Sequence, residues 1–155
     1  MNQFRSLRFL LALTVMAGTV SCTSTVYEQR ADAMKSHTKA FYQYLEAGQV
    51  EAAVTENQRI EGVAKELEQR ILSRKNQLGA NQIDREWIQV IGAKEAAAEN
   101  WLSLGQYLTR TKDFERAKGV YRRILATYPE STFRPYRERA QLALKDLDMI
   151  LAPTP

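Results

Sequence analysis

Among the side chains able to do chemistry, two stand alone in this 155-residue chain: one cysteine, Cys22, and one histidine, His37. A lone thiol closes no disulfide within the chain, and one Cys with one His cannot build a Cys/His zinc site. A Ser-His-acid triad would have to use His37 with Asp32 or Glu46, yet no strained nucleophile turn surrounds it. His37 reads as an ordinary helix histidine. Glu95 and Glu99 stand one helical turn apart, the spacing of a carboxylate pair for acid/base work. Lys94 beside them makes a solvated helix face the better reading. No phosphate loop, dinucleotide-binding glycine pattern or metal-ligand spacing is present. The expectation is therefore no enzyme, no cofactor and no metal.

Cys22 gains its meaning from what precedes it. Residues 1–8 carry Arg5 and Arg8 and no acid. An apolar run follows from Phe9 to Met16, then small residues Ala17-Gly18-Thr19, then Val20-Ser21. Basic, apolar and small segments in this order make an export signal. The run is shorter than the roughly 20 apolar residues a membrane-spanning helix needs. Thr19-Val20-Ser21-Cys22 resembles the lipobox of bacterial lipoproteins, with Ser and Val fitting at −1 and −2 and Thr19 departing from the usual Leu at −3. The resemblance implies cleavage before Cys22 and acylation (palmitate among the chains) of its sulfur and new N-terminus. Each buried CH2 adds about 0.8 kcal/mol to such an anchor. Thr23 rather than Asp after the cysteine implies, by analogy with enterobacterial lipoproteins, the periplasmic face of the outer membrane.

The composition, 45% apolar and 26% charged with seven Gly and four Pro, is that of a globular chain. Its formal charge is +4. Removing residues 1–21 takes away two arginines and leaves 20 basic against 18 acidic side chains. The remaining charge is uneven. Residues 110–145 hold ten Lys/Arg and four acids, whereas residues 22–109 hold ten basic and twelve acidic side chains. Arg116, Arg122, Arg123, Arg134 and Arg137 form the centre of this basic patch. It suits anionic lipid, peptidoglycan or an acidic protein segment, and equally a solubilising surface. Nucleic acid is not expected for an exported chain.

No period-2 strand pattern appears, and apolar residues recur at helical spacing throughout. The segments expected are a signal peptide at 1–21, a lipidated tether at 22–30, a helical domain at 31–151 and a tail at 152–155. Five helices are expected. The first runs from about Ala31 to Ala47 and ends at Gly48. The second, about Val50 to Gln77, carries Ala53, Ile60, Val63, Ala64, Leu67, Ile71 and Leu72 on one stripe. The third begins near Asn81 or Asp84, either a candidate cap, and reaches Thr111 with Trp87, Ile91, Ala98, Trp101, Leu104 and Leu108 in period. Gly92 and Gly105 inside it suggest close packing or a bend. The fourth covers about Asp113 to Thr127. The fifth starts at Ser131 or Thr132, with Pro135 in its first turn, and reaches Leu151 through Phe133, Tyr136, Ala140, Ala143, Leu144 and Leu147.

From Trp101 to Pro129 the residues resemble the tetratricopeptide repeat, a 34-residue helix-turn-helix unit. Trp101, Leu104 and Gly105 meet its Trp-Leu-Gly spacing. Phe114, Ala117, Tyr121, Leu125 and Pro129 meet its second helix and terminator. Lys112 stands where the turn often has glycine. The best-matching unit is 98–131, and 132–151 would cap it. Tyr44, Gly48, Val50 and Ala53 resemble the middle of a degenerate copy, 64 residues earlier, with His37, Ala40 and Phe41 in place of Trp, Leu and Gly.

This resemblance implies an all-α fold of TPR-like hairpins whose first helices line a concave groove for an extended or helical peptide. Carried over position by position, the groove falls on Glu99, Leu102, Gln106, Thr109 and Arg110, with Tyr42, Leu45 and Glu46 from the degenerate copy. Two functional readings follow. One is a lipid-anchored periplasmic adaptor that binds another envelope protein through the groove and helps assemble or localise an envelope complex. The other is a structural envelope protein that touches peptidoglycan or anionic lipid through the basic C-terminal helices. Pairing of two chains through the long middle helices stays open.

Overall fold

The computed structural model describes residues 22–152, with side chains from Tyr27 onward. The expected signal peptide at 1–21 and the last three residues of the tail lie outside the described residues. Five α-helices occupy nearly all of the rest: α1 Cys22–Glu46, α2 Val50–Arg74, α3 Ala80–Arg110, α4 Phe114–Thr127 and α5 Arg134–Leu151. A 3-10 turn at Ser131–Phe133 leads into α5. The fold is all-α and built of TPR-like helical hairpins. Helix α1 begins at Cys22, so the segment expected as a tether is helical. The chain divides into two compact units, residues 1–33 and residues 34–155. Of the first, the described part is the opening of α1. All packing below belongs to the second.

Local chemistry explains the hairpin turns. After α1 the N–H of Gly48 donates to the carbonyl of Leu45 at 3.1 Å, and that of Gln49 to Tyr44 at 2.8 Å. This is the Schellman arrangement, which needs a left-handed residue at its centre; Gly48 has φ 72°. After α3 the same bonds recur 64 residues later. Lys112 donates to Thr109 at 3.1 Å and Asp113 to Leu108 at 2.9 Å. Here the left-handed position, φ 63°, is held by Lys112, an L-residue with a Cβ. Asp113 then caps α4 by accepting the N–H of Arg116 at 3.4 Å.

Three boundaries differ from the sequence reading. Helix α3 is capped by Gly79 with no side-chain bond, not by Asn81 or Asp84. The extended backbone of Gly79 lets its carbonyl accept from Gln82 and Ile83, so no side-chain acceptor is recruited. Helix α2 stops at Arg74, where Gln77 and Leu78 both donate back to the Arg74 carbonyl. Ser131 and Thr132 enter the 3-10 turn, and Pro135, which lacks an N–H, sits in the first turn of α5.

The helices form two layers. In one, α1, α3 and α5 lie in sequence: Tyr42 Oη meets Ser103 Oγ at 3.2 Å, and Arg139 donates to both oxygens of Glu99 at 2.8 and 3.2 Å. Behind them α2 and α4 are joined through Glu61 and Glu51 to Arg123 and Arg116. The main core lies between the layers and holds Phe41, Ile60, Trp101, Leu102, Leu104, Tyr121, Ile124 and Leu147. A smaller cluster of Leu67, Ile71 and Val90, flanked by Ile83 and Trp87, fills the far end of the α2–α3 hairpin. Leu72, Ile91 and Leu151, expected on buried stripes, are 59%, 37% and 41% exposed. Leu72 and Ile91 lie where the hairpin runs past its neighbours, and Leu151 is in the last turn of the last helix.

Two contacts set the distance and register between helices. A Cβ on Gly105 would lie 2.5 Å from the Tyr121 ring, so α3 and α4 touch only because residue 105 has no side chain. Between α2 and α3, Asn57 donates to the Ala97 carbonyl at 3.0 Å and Asn100 donates to Asn57 Oδ1 at 2.9 Å, both amides buried. Sliding either helix would strand those amides in the core.

Candidate partner-binding groove

The face made by α1, α3 and α5 carries two neighbouring clefts. The first, about 330 Å³, lies between α1 and α3 and is lined by Tyr42, Leu45, Glu46, Ser103, Tyr107 and the pair Gln106 and Arg110. The second, about 360 Å³, lies between α3 and α5 with Tyr121 of α4 at its floor. Gln106 and Arg110 line it as well, and Thr109, Ala143, Asp146, Leu147 and Ile150 complete it. Gln106 and Arg110 stand one turn apart on α3, so they form a ridge shared by the two clefts.

The lining suits a peptide. Tyr42, Tyr107 and Ile150 supply apolar surface, and the Gln106 amide can donate and accept at once, as a peptide backbone requires. Among the described residues, Glu46, Arg110 and Asp146 have no ion-pair partner in the chain. The groove therefore offers one cation between two anions, each free to meet a charge on a ligand. Thr109 is less available, because its hydroxyl donates to the Gly105 carbonyl at 2.9 Å. Burial pushes the Tyr121 phenol above its usual range, so that group is protonated at neutral pH.

The structure brings Tyr42, Gln106, Thr109 and Arg110 to this face and removes two residues expected there. Leu102 is 1% exposed and belongs to the core, so it cannot touch a ligand. Glu99 is engaged by Arg139, whose charge it stabilises further through the hydrogen bond. It braces α3 against α5. The sequence reading did not find Ser103, Tyr107, Asp146 and Ile150. The α5 pair Asp146 and Ile150 would have required reading α5 as the first helix of a further hairpin, in register with α3.

The basic patch is largely engaged within the chain. Arg116 pairs with Glu51 at 2.8 Å, Arg123 with Glu61 at 2.7 Å, and Arg134 with Glu138 at 3.6 Å. Arg137 donates to the Pro129 carbonyl at 2.8 Å. Arg123 also stacks 4.5 Å from the Trp101 ring. Lys118 pairs with Asp148 at 2.7 Å, and Arg122 adds to the field that holds the Asp148 carboxyl below its usual range. The acids Glu51 and Glu61 come from α2, outside the stretch that looked strongly basic.

His37 serves the scaffold. Its Nδ1 lies 2.7 Å from Glu56 of α2, and Arg59 holds the other oxygen of that buried carboxylate at 2.6 Å. Among the described residues no group of three or more His, Cys, Asp or Glu could hold a metal ion.

Residues 98–142 match the family model described as tetratricopeptide repeat. The matched stretch runs from the middle of α3 through α4 into α5, so it spans the second cleft. No curated protein and no solved structure matches the chain. The match covers residues 98–142 alone and, with the all-helical architecture, supports a TPR-like helical fold. Repeats of this family are protein–protein interaction scaffolds, typically without catalytic activity of their own.

Proposed function

We propose that this chain is a lipid-anchored adaptor on the periplasmic face of a bacterial outer membrane, holding a peptide segment of another envelope protein in the α1–α3–α5 groove. The observation that carries the binding half is the Gln106–Arg110 ridge between two clefts, edged by charges that find no ion-pair partner among the described residues. The anchoring half rests on the sequence up to Cys22, where α1 starts. Among the described residues no helix is long and apolar enough to cross a membrane. The adaptor would assemble or localise a complex at that surface.

Two experiments test the two halves apart. Mass spectrometry of the native product should find acyl chains on an N-terminal Cys22, and an unmodified thiol there removes the anchor. Crosslinking in native membranes should recover a partner protein. Gln106→Ala with Arg110→Glu should lower its yield several-fold while helical content is unchanged, and undiminished recovery would rule out the groove. The reading of a basic surface on cell wall or anionic lipid is less favoured, because Arg116, Arg123, Arg134 and Arg137 are engaged within the chain.

A further inference from the structure

Helix α5 packs one side against α3 and α4 through Ala140 and Leu147, and its opposite side faces solvent. That outer side is not polar. Leu142, Met149 and Ile150 are 61%, 60% and 59% exposed. With Lys145 and Asp146 they stand at i, i+3, i+4, i+7 and i+8, which is a single helical face. Leu142 at one end, and Met149 and Ile150 at the other, leave apolar surface open on either side of two charged residues. Lys145 and Asp146, at its centre, have no ion-pair partner among the described residues, although Lys118, Arg134 and Arg139 all find one.

The order of these residues is what selects an occupant. Reverse the helix about the point between residues 145 and 146, and the face maps onto its own complement. Leu142 falls opposite Met149, and Lys145 falls opposite Asp146. A two-fold interface requires this self-complementarity, each patch meeting its own copy in the reverse direction. A bilayer would meet the same face with an unpaired cation and an unpaired anion at its centre, which desolvation opposes.

We propose that two copies of this chain associate through antiparallel α5 helices. Leu142 of each packs on the partner's Met149, and Lys145 of each pairs with the partner's Asp146. The patch is small, so the dimer is weak and reversible. Asp146 and Ile150 also edge the second cleft, so association and groove occupancy would influence each other. Association of the free chain requires no ligand in the groove.

The test is sedimentation of the full chain in density-matched mild detergent, carrying Cys22→Ser so that neither acylation nor a disulfide joins two copies. Protein is raised to about 200 μM, because an interface below the standard size binds weakly. A monomer–dimer equilibrium is expected. Lys145→Asp alone and Asp146→Lys alone should each weaken it about tenfold or more. An equimolar mixture of the two variants should restore it, since each cross-pair is then again of opposite sign. Helical content, followed by circular dichroism, should not change, because both positions are exposed. A monomer at every concentration, association indifferent to both reversals, or a mixture no tighter than either variant would each overturn the proposal.

Discussion

A Cβ on Gly105 would lie 2.5 Å from Cε1 of Tyr121, closer than non-bonded carbons approach. The absence of one side chain on α3 admits a whole ring from α4. In the first hairpin the positions 64 residues earlier are Phe41 and Asn57, both buried. The bulk has moved from the second helix of the hairpin to the first. Two hairpins with little sequence in common keep the same turn bonds with different side chains at these positions.

Gly105→Ala is expected to destabilise the fold by about 1–2 kcal/mol, overpacking outweighing the gain in helix propensity. Gly92 is the control: it lies in the same helix, and a Cβ there meets nothing within 4 Å. Gly92→Ala should stabilise by about 0.5–1 kcal/mol. Urea unfolding of both variants decides, and equal effects would refute the packing account.

Lys112 occupies a left-handed backbone position, φ 63°, where Gly48 sits in the earlier turn. Lys112→Gly should raise stability by up to about 1 kcal/mol, and Gly48→Ala should lower it by a similar amount. Thermal unfolding should show melting temperatures moving in opposite directions by roughly 3–5 °C.

Glu61 gathers three donors. Trp101 Nε1 and Tyr128 Oη each donate to it at 2.8 Å, and Arg123 at 2.7 Å. Glu61→Ala leaves two largely buried donors unpaired and should cost about 2–4 kcal/mol. Glu66 makes only an exposed pair with Arg70, one turn away. Glu66→Ala should stay within about 0.5 kcal/mol of the parent. Similar losses for the two would show that the Glu61 cluster contributes no more than a surface pair.

The phenols predict an alkaline limit. Tyr128 is held well above the usual value of 10.0, first by burial and then by the charge and hydrogen bond of Glu61. Burial also raises Tyr121 and Tyr136. Above pH 10 or so the unfolded chain loses these protons while the folded chain keeps them. Fewer protons are then bound in the unfolded state, so stability must fall as pH rises. Below that range the phenols are protonated in both states and contribute no slope. Tyr128→Phe should flatten the decline between about pH 10 and 12, measured as urea midpoint against pH.

Much of the scaffold was legible because helices answer to local rules. The apolar spacing around Trp101, Leu104 and Leu108, the Asp113 cap and the stop at Pro129 each depend on neighbours within a turn or two. Gly105 was legible as a place of close packing; that Gly92 is not one depends on which face of α3 has a neighbour. The groove was half legible. Tyr42, Gln106, Thr109 and Arg110 follow from the repeat resemblance, whereas Leu102, carried over with them, is buried in the core.

The sequence by itself determined the helical periods, the turns, the repeat-like pattern from Trp101 to Pro129 and the unusual setting of Cys22, since these are properties of residues near one another in the chain. Only the tertiary structure decided which charges stay free. Glu51 and Glu61 reach the C-terminal arginines across more than 60 residues of chain, and Glu99 spends its carboxylate on Arg139. Coulomb interactions depend on distance in space, and a linear charge count does not contain that distance. Among the described residues Arg110, Lys145 and Asp146 find no ion-pair partner in the same packing, and the proposed binding surfaces begin with them.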